Sequence, residues 1–289
     1  MIFILAFLVL SFASVIGETI LLFDLNGNIL NTTYYYVKII KAFFNYKIYR
    51  VSKNKLEKDN KIIYLSNHRS WADFFVDYHV GNNNTVFISR MLVGFVVPLL
   101  SLTGILTGKI IFFHREAKNI GKVFEYIHKK FTKHPCNGLL VYPEGTRRLE
   151  NKSCELKKGF IRYSYEKNIP IQIILTKNKE KVMNEKLFTV NSNIKLFTSY
   201  SEKIEPNKKQ FKTLESYIEY IQKKWNKQWD HLYNTNDDKL LKENMGEIKN
   251  VKVPEDIKHK SKYNDMIMNF YRIRFYSMFL IPIIIYLLL

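Results

Sequence analysis

Between residues 61 and 200, short apolar runs alternate with segments of helical periodicity, and this alternation narrows the chain to few folds. "KIIYLS" (61–66), "TVFIS" (85–89), "GKIIFF" (108–113), "LLVY" (139–142), "IPIQIIL" (169–175) and "IKLFTSY" (194–200) read as strands. They are short, rich in β-branched and aromatic residues, and bounded by turn formers. Among them, Ile120, Val123, Phe124, Ile127 and Phe131 recur at helical spacing until His134-Pro135 and Asn137-Gly138 break the pattern. A second helix is expected over 157–167. Strands alternating with helices predict an α/β domain with a mixed, largely parallel sheet flanked by helices. In such sheets ligands sit at the carboxyl ends of the strands. Two polar stretches fall at that position, "NHRSWAD" (67–73) and "YPEGTRR" (142–148).

The ends of the chain are different in character. Residues 1–17 carry no charged side chain, and the aliphatic run resumes after Glu18. A membrane span needs about 20 apolar residues. A cleaved signal peptide is the rival, but no Lys or Arg precedes the apolar run. A retained N-terminal anchor is therefore expected. The chain closes on "FYSMFLIPIIIYLLL", which at 1.5 Å per residue covers only about 22 Å. This reads as a short span, a half-inserted hairpin or an interfacial anchor. Lys38, Lys41, Lys47 and Arg50 follow the first anchor, and Arg272 and Arg274 precede the last. By the positive-inside bias, the region between them faces the cytosol. A third apolar run, "MLVGFVVPLLSLTGILTG" (91–108), contains Gly94, Pro98 and Gly104. A full span there would separate the two polar stretches across the membrane. A helix buried in the domain or dipping into lipid fits better.

Charge is distributed unevenly. The chain of 289 residues has a net charge of +19, and residues 31–200 hold 29 basic against 12 acidic side chains. The segment with both polar stretches is thus the positive one. It suits an anionic membrane surface or a phosphorylated substrate. Lysine-driven solubility is the plainer alternative. Two cysteines, Cys136 and Cys154, form no paired motif with the seven histidines, so neither a disulfide framework nor a metal site is expected. Nucleic-acid binding is not expected either, since no recognition motif is present. Beyond 200, Phe211, Leu214, Ile218, Ile221, Trp225, Trp229 and Leu232 outline a long amphipathic helix. The expected organisation is a membrane anchor and amphipathic helix over 1–50, a domain over 51–233, a polar linker over 234–270 and a hydrophobic anchor over 271–289.

Histidine is the usual general base near neutral pH, and a carboxylate on its second ring nitrogen orients it. His68 and Asp73 are five residues apart, about 140° around a regular helix, so a plain helix does not join them. A turn at Asn67-His68 leading into a helix at Ser70 does. No serine or cysteine lies in a nucleophile elbow. A base here therefore activates a hydroxyl that the substrate brings, unless His68 is simply a satisfied structural histidine. In the second stretch Pro143 and Gly145 make a tight turn. Thr146 can cap it, Glu144 can hold an arginine or a hydroxyl, and Arg147 and Arg148 offer forks suited to phosphate. An ordinary turn with solvated charges is the alternative.

Together these blocks resemble the 1-acylglycerol-3-phosphate O-acyltransferase family, membrane-bound glycerolipid acyltransferases. "NHRSWAD" fits the family's N-H-x-x-x-x-D block, and "YPEGTRR" fits F-P-E-G-T-R with Tyr142 in place of Phe. "GKIIFFHR" (108–115) is similar to G-x-x-F-I-x-R, with His114 where Asp is common, and "IPIQIIL" is similar to the block around a Val-Pro. The resemblance covers about residues 60–180. It implies that His68 and Asp73 act on an acceptor hydroxyl with acyl-CoA as co-substrate, with no metal, no other cofactor and no acyl-enzyme. It also implies that Arg115 and Arg147 hold an acceptor phosphate while Glu144, Gly145 and Thr146 shape that site. The expected partners are acyl-CoA, a lysophospholipid and membrane lipid. The expected place is the endoplasmic reticulum or a similar internal membrane, with the catalytic domain in the cytosol. Lysophosphatidic acid is the first choice of acceptor. Glycerol-3-phosphate or another lysophospholipid is the near alternative. A non-catalytic basic protein of the membrane surface is the distant one.

Overall fold

A computed structural model describes residues 2–23, 32–96, 98–113 and 119–249, and in the first helix it describes side chains only as far as Ile16. The chain opens with α1 (Ile2–Phe23) and α2 (Thr32–Phe44), and continues with β1 (Lys47–Arg50), β2 (Ile62–Ser66), α3 (Ala72–Val80) and β3 (Thr85–Arg90). Two short helices follow, α4 (Met91–Val96) and α5 (Pro98–Thr107), then β4 (Ile110–Phe113), α6 (Ile120–Lys133), β5 (Gly138–Val141) and α7 (Gly159–Lys167). The remainder is β6 (Ile171–Lys177), α8 (Lys179–Val182), a small hairpin of β7 (Met183–Asn184) and β8 (Thr189–Val190), β9 (Lys195–Tyr200), α9 (Leu214–Asn234) and α10 (Asp237–Lys242).

Seven strands form one sheet in the order β1-β9-β6-β2-β5-β3-β4. Every neighbouring pair is parallel except β6 with β9. The expected mixed, largely parallel sheet is therefore present, and it gains a strand, β1, that the sequence reading does not contain. Alternation along each strand splits the core into two layers. Ile63, Leu65, Leu139, Val141, Ile171 and Ile173 face α6, α7 and α9, whose Ile127, Phe131, Ile161, Ile221, Trp225 and Trp229 complete one apolar cluster. Ile62, Tyr64, Phe87, Leu140 and Ile174 face the other way, onto residues of α1, α2, α3 and α5. The long amphipathic helix read from Phe211 onward is α9. Its N-terminus is capped by Thr213, whose side chain accepts from the Ser216 amide.

Position in the sheet decides where the polar stretches meet. β2 lies at the centre and pairs in parallel with β5, Leu65 opposite Val141. The chain leaving β2 at Ser66 and the chain leaving β5 at Val141 therefore emerge side by side. That register requires Gly138, because a Cβ there would lie 2.0 Å from Tyr64 Cε2 and 2.8 Å from the Asn84 carbonyl.

Four expectations need correction or bounding. The polar stretch from 234 is not a linker in its first part. Asp237–Lys242 is helical, and Met245 and Ile248 donate their amides to the carbonyls of Arg50 and Ile48, closing the free edge of β1. Unpaired strand edges are a liability, and the polar composition conceals this role. In the run at 91–108 the described residues are helical over Met91–Val96 and Pro98–Thr107. At the N-terminus, where an anchor is expected, the chain is helical as α1. It buries Ala6, Leu10 and Ala13 while Ile4, Leu5, Leu8, Phe12 and Ile16 stay exposed. Among the residues whose side chains are described, no helix is long and apolar enough to cross a membrane. The C-terminal anchor at 271–289 and the linker from 250 lie outside the described residues.

The Gly138 contact yields a test of the β2–β5 register. Gly138→Ala should destabilise the protein by about 1–3 kcal/mol, the usual cost of overpacking a closed site. A lowered thermal midpoint with unchanged circular dichroism before the transition would agree. A neutral substitution would mean that the register described here is wrong.

Candidate active site

The turn after β2 and the loop after β5 are laced together by hydrogen bonds to the His68 backbone. The His68 amide donates to Glu144 Oε1 at 2.8 Å, and the His68 carbonyl accepts from the Arg148 amide at 2.9 Å. Between those two bonds sits Gly145, at φ +74, a conformation that favours glycine. Asn67 ties the other side. Its side-chain amide donates to the Thr176 carbonyl, and its oxygen accepts from the Thr176 amide, both at 2.9 Å.

Asp73 stands in the first turn of α3, and the chain reversal at 67–71 brings His68 back onto it. His68 Nδ1 lies 2.6 Å from Asp73 Oδ2. The same oxygen accepts the amides of Arg69 at 2.6 Å and Ser70 at 3.1 Å. This is the turn-then-helix arrangement that the five-residue spacing demands. Burial pushes the Asp73 carboxyl up, but the Lys179 ammonium and the His68 bond outweigh it, and the group ends below the usual carboxylate range. It is thus an anion that can orient an imidazole and support its positive form. His68 keeps 26% of its side chain exposed, while Asp73 keeps 2%. With Nδ1 engaged, Nε2 is the nitrogen left for a substrate. The ring stacks on Tyr142, centroids 4.2 Å apart at 12°.

Glu144 is buried, and its Oε2 makes no hydrogen bond among the described residues. Burial raises its carboxyl to about 7, partly offset by the His68 amide. Thr146 is exposed at the tip of the turn. Arg147 sits beside it and pairs with Glu185 of the segment between β7 and β8, not with Glu144. Arg148 reaches Glu150 at 2.9 Å on the surface. Arg115 lies outside the described residues.

Four further groups belong to the site and were not singled out from the sequence. Arg90, exposed at the end of β3, donates to the Gly145 carbonyl at 3.1 Å, which puts a second guanidinium on the rim of the Pro-Glu-Gly-Thr turn. Glu185 also accepts the Trp71 amide at 3.0 Å. Asp77 and Lys179 lie buried behind Asp73, with Lys179 Nζ 3.0 Å from Asp77 Oδ2 and 3.3 Å from Asp73 Oδ1. Asp77 follows Asp73 by one helical turn, so a helix reading alone could have found it. Lys179 carries no local signal, since it is one lysine among Lys177, Lys179 and Lys181. Next to the polar groups is an apolar wall. Phe3 and Phe7 of α1 lie 6.2 and 5.6 Å from the Trp71 ring, and Phe188 packs on Phe3.

Arg69 locks the loops in place. It is 1% exposed and donates to Glu180 and to the carbonyls of Leu149 and Glu150, at 2.7 to 3.1 Å. Its removal leaves those carbonyls and a partly buried carboxylate without a cation. Arg69→Ala should therefore loosen residues 147–152, and Arg69→Lys should not restore them because an ammonium cannot span the fork. Limited trypsin digestion reads this at Arg147, Arg148 and Lys152. Cleavage there should speed up at least about tenfold for a loss of roughly 1.5–3 kcal/mol. Equal rates in all three proteins would contradict the assigned role.

Residues 47–176 match the family model described as Acyltransferase. The fold is similar to the crystal structure of the 1-acyl-sn-glycerophosphate (LPA) acyltransferase PlsC from Thermotoga maritima. The two share 18% sequence identity with a TM-score of 0.57, over 81% of this chain and 97% of that one. No curated protein sequence matches.

Proposed function

We propose that this chain, whose residues 47–176 belong to the acyltransferase family, moves an acyl group from acyl-CoA to the free hydroxyl of a lysophospholipid, with lysophosphatidic acid as acceptor and phosphatidic acid as product. The observation that carries the reading is His68 Nδ1 at 2.6 Å from an Asp73 oxygen that is held by two further amides. An oriented base of this kind has no use in a surface-binding protein. The nearby hydroxyls are already engaged, Ser66 with Asp77 and Ser70 with the Ala72 amide, which favours direct transfer over a protein nucleophile.

His68 Nε2 takes the proton of the acceptor hydroxyl as its oxygen attacks the thioester carbon. The tetrahedral intermediate collapses with formation of the ester and cleavage of the carbon–sulfur bond. The imidazolium returns its proton to the departing CoA thiolate, and Asp73 supports the positive ring throughout. Arg147 and Arg90 form the phosphate end of the site, a role the motif resemblance also gives to Arg115, and Glu144, Gly145 and Thr146 shape the turn. The phosphate competes with Glu185 for the Arg147 fork.

The apolar side of the site supports a position at a bilayer surface. The exposed face of α1, with Leu92 and Phe95 of α4 and Leu187 and Phe188 beyond β7, presents large apolar side chains to the outside. In this reading these residues enter the lipid, and Phe3, Phe7 and Trp71 guide acyl chains toward His68. The membrane is the endoplasmic reticulum or a similar internal one, and the basic domain faces the cytosol. No further cofactor enters the reaction.

A vesicle-reconstituted assay with labelled acyl-CoA tests this. The protein should esterify lysophosphatidic acid in preference to the same lipid without its phosphate. Arg147→Lys keeps the charge but loses the two-pronged contact. It should raise the KM for the phosphorylated acceptor by about 10- to 150-fold, the value of one charge-assisted hydrogen bond, and leave the KM for acyl-CoA alone. An equal rise for both substrates would remove Arg147 from the phosphate site. Absence of transfer to any lysophospholipid would overturn the function.

A further inference from the structure

Behind the His68–Asp73 pair lies a second layer of charge that the chemistry so far does not use. Lys179, Asp77 and Asp73 are 0%, 0% and 2% exposed. Lys179 Nζ donates to both Asp77 oxygens, at 3.1 and 3.0 Å, and to the Asn67 carbonyl at 2.6 Å. It also faces Asp73 Oδ1 at 3.3 Å, an oxygen with no hydrogen bond of good geometry among the described residues. Asp77 Oδ2 further accepts from the Tyr142 hydroxyl at 2.8 Å and from Ser66 at 3.2 Å. Tyr142 is the ring on which His68 stacks, and it is the residue standing where the family motif has Phe. Its added hydroxyl therefore links the imidazole's stacking partner to Asp77.

Count the charges in this closed space. Two carboxylates and one ammonium leave a net charge of minus one while His68 is neutral. Charged groups rarely occupy a protein interior without compensation, and here the compensation is one short. The missing positive charge arrives when His68 takes a proton. The other charged and titratable groups around this space do not supply it. Glu144, which accepts the His68 amide, is an acid and brings no positive charge, Arg69 is committed to Glu180 and the loop carbonyls, and the nearby phenols are Tyr142, Tyr78, Tyr200 and Tyr233.

We propose that Lys179 and Asp77 are positioning residues for the transfer. Lys179 pins the outer oxygen of Asp73, and Asp77 adds the second negative charge, so that the imidazolium formed in the reaction completes a neutral network. The proposal rests on His68 being the base. Burial raises the Asp77 carboxyl to about 6, opposed by Lys179 and reinforced by Asp73, so the extra charge is present at neutral pH and is lost as pH falls through that value. Its loss makes the ring a weaker base, and because the two proton uptakes oppose each other the acid side of the pH profile is broadened.

The test uses Asp77→Asn, Lys179→Met and the double variant in the full chain, with two readouts. One is the pH dependence of kcat and KM for acyl transfer. The other is the pH dependence of diethylpyrocarbonate modification at His68, followed by mass spectrometry of its peptide without substrate. Asp77→Asn leaves the network neutral before proton uptake. Both acid limbs should move down by about one pH unit, the lower end for a lost charge a few ångström away. The plateau kcat should fall about threefold as expected for a weaker base, with KM unchanged. The double variant restores the net charge of minus one and should bring both limbs back. Should Lys179→Met alone fail to fold, as an acid pair stripped of its cation is expected to, the other two variants still decide. Unmoved limbs in Asp77→Asn overturn the proposal, and so do losses that multiply in the double variant with the limb still displaced. If modification shifts while turnover does not follow, the network exists but His68 is not the base, and the proposal falls with that reading.

Discussion

Three hydrogen-bond donors converge on one oxygen of Asp73: the His68 ring and the amides of Arg69 and Ser70. The two amides exist as donors only because the chain reverses between β2 and α3, and the reversal holds only because α3 begins where it does. A buried carboxylate would otherwise take up a proton, since burial favours its neutral form. The converging donors and Lys179 keep Asp73 ionised. The orientation of His68 thus follows from the ionisation of a group that the fold itself stabilises. The reactive ring is the visible end of that arrangement.

The sheet contributes the second constraint. Because β2 and β5 are adjacent and in parallel register, the histidine turn and the Pro-Glu-Gly-Thr loop leave the sheet together and are joined at both the amide and the carbonyl of His68. Neither loop is a free segment. Arg69 and Asn67 fasten them from behind, to the 149–150 carbonyls and to Thr176. The polar groups therefore sit on a rigid base, while the exposed apolar residues of α1, α4 and Leu187-Phe188 lie outside it. Such a division suits an enzyme whose substrate has a charged head and an oily tail.

Much of this was legible in the sequence, for a physical reason. His68 and Asp73 lie within one turn and helix start, and residues 142–148 within one loop, so local chemistry and strand-end position reveal them. Six of the seven sheet strands show as apolar runs. β1 does not, because "KIYR" has no local signature and forms only by pairing with β9, some 150 residues away. The segment at 245–248 is hidden for the same reason. Lys179 reaches Asp73 only because β6 lies beside β2 in the sheet, a neighbourhood that no spacing along the chain announces. Glu185 and Arg90 likewise owe their places to long-range packing. Arg147, read as open to a ligand, is met by Glu185 for that reason.

The central claim is that His68 and Asp73 act as one unit on a substrate hydroxyl. A double-mutant cycle on acyl transfer measures this most directly, using His68→Ala, Asp73→Asn and both together. Residues that work only through each other give strongly non-additive losses. The account predicts that His68→Ala removes transfer to the background level, that Asp73→Asn removes most of it, and that the double variant is no worse than His68→Ala. Near-normal turnover in His68→Ala, or losses that multiply in the double variant, would contradict it.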